Sequence, residues 1–183
     1  ASTFAEMIFT DGMLKDPATS AEMKKFILDQ ELGHASIYLM DIPVRFEFEK
    51  ALYEERAEGE ISISRLKEMM TETQRRIFGD TLEPGGEDPM FWASKLHFYI
   101  TEVTFYNFPY TFGFLLSRGF YHLFKTEGAA FLPRYEKFLE LSGSDACENV
   151  ARASIGRDIE TPQFWREAIS SLEEPLKQLE DII

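Results

Sequence analysis

The chain has one cysteine, Cys147, and three histidines, His34, His97 and His122, among 183 residues. A single thiol excludes an internal disulfide and any cysteine-built zinc site, and it fits a reducing compartment. No stretch reaches the run of about 18 apolar residues that a membrane span requires. The most apolar stretch, 105–124, is interrupted by Asn107, Pro109, Gly113, Ser117 and Arg118. Positive charge is scarce as well. Lys and Arg number 19 against 32 Asp and Glu, a net charge of −13. Nucleic acids and anionic membrane surfaces are both gripped by Lys and Arg, so neither is expected as the main partner. No internal repeat or low-complexity linker occurs, and no signal peptide is expected. The expectation is a cytoplasmic protein.

What the chain does have is a core and many aromatic rings. Apolar residues make up 44%, too many for a disordered acidic chain. Seventeen Phe and seven Tyr are present, many of them crowded into 91–124. The length suits one domain or one large piece of a bigger one. Apolar spacing is helical nearly everywhere. A helix is expected over 1–14, then one from a Thr19–Glu22 capping box to about Ala57, kinked or broken at Pro43. Further helices are expected from Ser62 or Ser64 to Gly79, over 109–125, 133–141 and 145–153, and over 162–182 with Thr161 as cap. The loop 82–89, with Pro84, Gly85, Gly86 and Pro89, joins two halves of one body. The fold class is all-α, with a short extended segment near 96–106 allowed by its strand-like composition.

Gln30-Glu31-Leu32-Gly33-His34 is one letter from the H-E-x-x-H of zinc peptidases. That motif needs two His at i and i+4 on one helix face, and an amide oxygen is a poor replacement for imidazole. Glu31 and His34 also match half of a di-iron Glu-x-x-His pair. The second half fails, because Ser94 and Gly119 stand three before His97 and His122. No complete metal site is expected in this chain.

The stretch from Trp92 to Gly113 carries the chemistry. His97, Tyr99, Tyr106, Asn107 and Tyr110 lie within it, and Tyr106 and Tyr110 are four apart, so on a helix their hydroxyls share a side. Tyr and His are donors that can face a peptide backbone or a developing oxyanion. Equally, these rings can be a buried core whose hydroxyls bond to the backbone.

Four stretches resemble the C-terminal part of the oligoendopeptidase F family, zinc oligopeptidases related to thimet oligopeptidase. They are Ala1-Ser-Thr-Phe-Ala-Glu6, Ile42-Pro-Val-Arg45-Phe-Glu-Phe-Glu49, His97-Phe-Tyr99 with Phe105-Tyr-Asn-Phe-Pro-Tyr110-Thr-Phe-Gly113, and Gly143-Ser-Asp145. The resemblance implies a multi-helix C-terminal portion of a zincin-type catalytic domain over 1–183. It implies a zinc metalloendopeptidase that hydrolyses short peptides, with zinc as the cofactor of the full-length protein. His97 and Tyr110 would be the catalytic groups that bind substrate and steady the oxyanion. Tyr99 and Tyr106 would contact substrate, and Glu6 would support a zinc ligand from behind. The family's zinc-binding residues would lie before Ala1. The chain then holds one wall of an active site, carries no zinc and is inactive alone, and the surface left bare favours self-association. An alternative from the residues alone is a non-catalytic, all-helical interaction module.

Overall fold

A computed structural model describes residues 2–183. It is helical throughout, with α1 (Ser2–Lys15), α2 (Ala21–Ser36), α3 (Ile42–Arg56), α4 (Ile63–Phe78), α5 (Phe108–Glu127), α6 (Leu132–Leu141), α7 (Cys147–Ser154), α8 (Pro162–Ser170) and α9 (Glu173–Glu180). No strand occurs among the described residues. The all-α expectation holds, and the chain divides into two compact units, Ala1–Gly33 with Gly113–Ile183, and His34–Phe112.

Local chemistry explains most boundaries. Ser20, not Thr19, begins α2, and its Oγ accepts the Met23 N–H at 3.2 Å. Ser62 caps α4 by accepting the Arg65 N–H, and Gly79 ends it at φ 59°, a conformation that glycine adopts without a Cβ clash. Pro43 does not break the chain. A π turn, Ile37–Asp41, precedes α3 and widens the helix where the proline ring removes a hydrogen bond and crowds the preceding turn.

The expected helix over 162–182 is two helices. Pro175 stands four after Ser171 and has no N–H to offer its carbonyl. Arg118 takes the vacancy, donating from Nη2 to the Ser171 carbonyl at 2.8 Å and from Nε to its Oγ at 2.9 Å. Thr161 does sit before Pro162, but it forms no side-chain cap and its hydroxyl donates to the Asp158 carbonyl.

In the first unit, Phe4, Phe120, Phe131, Phe138 and Phe164 are buried. Phe120 meets Phe138 edge-on at 4.7 Å, and Phe4 lies 4.3 Å from the Tyr135 ring. Arg118, 2% exposed, is the polar centre of this unit and also bonds Glu31. In the second unit, Val44 and Phe48 of α3 pack with Met69 and Met70 of α4, joined by Trp92 and Phe98 from the following loop. The aromatic crowd at 91–124 therefore has two fates. Phe114 and Phe120 are core, whereas the tyrosines before them stand in solvent.

Candidate functional site

The candidate site lies in the second unit, where the loop after α4 meets the start of α5. The side chain of Gln74 fixes the loop's beginning. Its Nε2 donates to the Asp88 carbonyl at 2.8 Å and its Oε1 accepts the Asp88 N–H at 3.0 Å. Two short 3₁₀ turns follow, Phe91–Ser94 and Leu96–Phe98. No extended segment forms over 96–106. The rings that give this stretch its strand-like composition pack on α3 instead, with Phe98 edge-on to Phe48 at 5.6 Å and Phe105 5.6 Å from Phe46. Thr111, in the first turn of α5, donates its hydroxyl to the Tyr38 carbonyl in the π turn.

Three of the residues singled out in the sequence converge. His97 Nε2 lies 3.1 Å from Tyr110 Oη. The His97 ring stacks on Tyr106 at 5.7 Å and meets Tyr110 edge-on at 5.4 Å, and the two tyrosine rings lie 5.8 Å apart. Tyr106 and Tyr110 remain 43% and 37% exposed, so the cluster opens to solvent rather than closing as core. Burial of its hydroxyl raises the Tyr110 pKa, and the neighbouring Tyr106 hydroxyl, within hydrogen-bonding reach, raises it further. The positive charge of Arg45, whose guanidinium bonds Asp41 and sits 5.5 Å over the Phe91 ring, acts in the opposite sense.

The network favours one arrangement of protons. His97 Nδ1 is buried with no partner among the described residues. In a neutral ring, a bare acceptor at Nδ1 is cheaper than a buried unpaired N–H, which favours the hydrogen on Nε2, donating to Tyr110. The Tyr110–Tyr106 pair then keeps one hydroxyl hydrogen that no member of the cluster consumes. A chain of donors ending in a solvent-facing O–H can grip a carbonyl oxygen, and each link polarises the next.

The remaining assignments fare differently. Tyr99 turns its hydroxyl to the Trp92 carbonyl at 3.4 Å and does not join the cluster. Glu6 is an exposed position of α1, in the other unit. Glu49 stands at the end of one family-like stretch but was given no role from the sequence. It is 2% exposed and accepts the Phe105 N–H at 2.7 Å and the Asn107 amide at 3.4 Å. Its signal was its place four residues after Arg45 and three before Leu52, on one side of α3.

No group of three or more His, Cys, Asp or Glu among the described residues could hold a metal ion. The near-motif at Gln30–His34 does not fit zinc. Glu31 is committed to the buried guanidinium of Arg118, and Gln30 and His34 occupy exposed positions of α2.

Comparison with known proteins completes the picture. No curated protein matches the chain. A crystal structure of a protein from Chlamydophila abortus, described as a candidate peptidase, superposes with a TM-score of 0.85 at 25% identity. The match covers 100% of this chain and 30% of that one, so the chain spans under a third of its structural relative. The model of peptidase family M3 matches residues 1–170. With the fold and nearly the whole length agreeing, the chain belongs to peptidase family M3.

Proposed function

We propose that this chain is the C-terminal substrate-binding wall of a zinc metalloendopeptidase, of the oligoendopeptidase F type, acting on short peptides. Family M3 is a zinc metallopeptidase family, and zinc supplies the Lewis acid for such hydrolysis when bound. The described residues of this chain do not form a zinc site, so its share of the reaction lies with His97, Tyr110 and Tyr106. The observation that carries the reading is the 3.1 Å contact between His97 Nε2 and Tyr110 Oη, with Tyr106 alongside, in a solvent-open cluster.

His97 holds the Tyr110 oxygen by donating to it. The free hydroxyl of the tyrosine pair donates to the scissile carbonyl, and it donates more strongly as that oxygen gains negative charge. Tyr110 acts as a hydrogen-bond donor, and its raised pKa keeps it protonated through the neutral range. Tyr99 stands at the margin as a further contact for substrate.

The test uses the full-length enzyme, cleaving an internally quenched peptide. Removing an oxyanion donor by Tyr110→Phe is expected to lower kcat/KM by about 100-fold. His97→Ala should have a similar effect. Unchanged kcat/KM in both variants would refute these roles for the histidine and the tyrosine. The chain 1–183 by itself is expected to bind such peptides without cleaving them.

A further inference from the structure

The loop that carries this cluster is bent in an unusual way. Glu102 and Phe105 both adopt positive φ, 67° and 55°. Non-glycine residues occupy that region at a cost and stay there only where the surroundings hold them. At Phe105, three groups of α3 supply the hold. Phe46 and Tyr53 flank the Phe105 ring at 5.6 and 5.4 Å. Between them in sequence, Glu49 receives the Phe105 N–H on one oxygen and the Asn107 side chain on the other. Glu49 and Asn107 are 2% and 0% exposed. Both contacts of the carboxylate are with hydrogen-bond donors, and both donors belong to the loop. A buried carboxylate with such partners is a clamp for backbone rather than a surface charge.

We infer that Glu49 is a positioning residue, which sets His97, Tyr106 and Tyr110 by holding the turn at Phe105 and Asn107. Tyr106 lies between the two clamped residues, so its ring direction follows from the clamp. Tyr110 begins three residues after Asn107, and the Tyr110 N–H bonds the Asn107 carbonyl at 3.2 Å. Release of Glu49 therefore reaches both tyrosines, and through Tyr110 it reaches His97. The consequence for peptide binding rests on the proposed peptidase function, whereas the geometric claim does not.

Glu49→Gln keeps an oxygen for the Phe105 N–H. Its new amide then faces Asn107, whose buried Oδ1 has no partner among the described residues and can accept after the amide turns over. Glu49→Leu keeps the bulk and removes both acceptors.

The experiment is nuclear magnetic resonance on chain 1–183, reading the Phe105 amide exchange rate, the His97 ring tautomer and the aromatic signals of Tyr106 and Tyr110, followed by titration with a mixed-sequence hexapeptide. In the unaltered chain the Phe105 amide should exchange at least about 100-fold slower than an open loop amide. Glu49→Leu should lose that protection, mix the His97 tautomers and weaken hexapeptide binding by about tenfold or more. Glu49→Gln should restore all three. An unprotected Phe105 amide in the unaltered chain would overturn the clamp even if Glu49→Leu fails to fold. So would a Glu49→Leu chain with unchanged His97 and tyrosine signals, or a Glu49→Gln chain as disturbed as Glu49→Leu. If the unaltered chain does not bind the hexapeptide while the ring and amide signals respond as stated, the proposed function fails and the clamp stands.

Discussion

Gly119 and Gly113 lie in the same helix, α5, and the same substitution should have opposite effects at the two positions. A Cβ built on Gly119 falls 2.3 Å from Phe164 Cζ and 2.8 Å from each of its Cε atoms. Carbon atoms pack at about 3.5–4.0 Å, so the ring would have to retreat by about 1 Å. Phe164 is 3% exposed and is wedged edge-on against Trp165 at 5.1 Å and Phe120 at 6.5 Å. With no room behind the ring, Gly119→Ala should incur an overpacking penalty near the upper part of the usual range of roughly 1–3 kcal/mol. Replacing a helical glycine with alanine returns about 1 kcal/mol of backbone entropy, so the net loss is about 1–2 kcal/mol. At Gly113 a Cβ meets nothing within 4 Å. There the entropy gain acts alone, and Gly113→Ala should stabilise by up to about 1 kcal/mol. The two variants, identical in composition, should differ by about 2–3 kcal/mol. The assay is urea unfolding followed by circular dichroism and by Trp165 fluorescence in a Trp92→Phe background. With a slope of about 1–3 kcal/mol per molar, the midpoints should separate by about 0.7–3 M. A Gly119→Ala chain as stable as Gly113→Ala would refute the close approach of α5 and α8.

Arg118→Met should destabilise by about 2–4 kcal/mol in the same urea assay, because it strips Glu31 of its cation and leaves the Ser171 carbonyl unpaired; a loss under about 1 kcal/mol would contradict the buried pair. Tyr110, Tyr121 and Tyr135 all have raised pKa values, chiefly from burial, so above pH about 10 the unfolded chain releases protons that the folded chain keeps. Stability should therefore fall as pH rises past that point, and Tyr121→Phe should flatten the fall measured by pH-dependent unfolding. Burial and Glu148 raise the Cys147 thiol pKa, so iodoacetamide labelling of the native chain at pH 7 should be slower than that of a free cysteine and should accelerate with pH. Rapid labelling at pH 7 would contradict that environment.

The sequence made the helical architecture legible because apolar spacing, Ser62 and Gly79 are local signals acting on local backbone. It misjudged places where a neighbouring or a distant side chain decides. The break at Ser171 follows from Pro175, and the freed carbonyl is served from a distance by the Arg118 guanidinium. The capping box at Thr19 failed by one residue because Ser20 offered an equally good oxygen. The strand-like letters of 96–106 express a wish for burial, and α3 satisfied it without a sheet. His97, Tyr106 and Tyr110 were visible as a group because their types and spacing are chemical. Tyr99 looked equivalent in the sequence, and only the fold shows its hydroxyl engaged by Trp92. Glu49 was hidden because a glutamate on a helix next to arginine looks like an ordinary surface charge.

Arg118 has a consequence beyond the energy of its bonds. Rows of phenylalanine rings can slip past one another by a fraction of a turn with little penalty, since apolar contact has no direction. A guanidinium is a rigid fork with fixed prongs. In this chain the prongs engage the Glu31 carboxylate, the Ser171 hydroxyl and the Ser171 carbonyl together. Only one axial setting and one rotation of the three segments satisfies all of them. The residue works as a vernier in a greasy interior, so substitutions there should widen the set of packings before they abolish the fold.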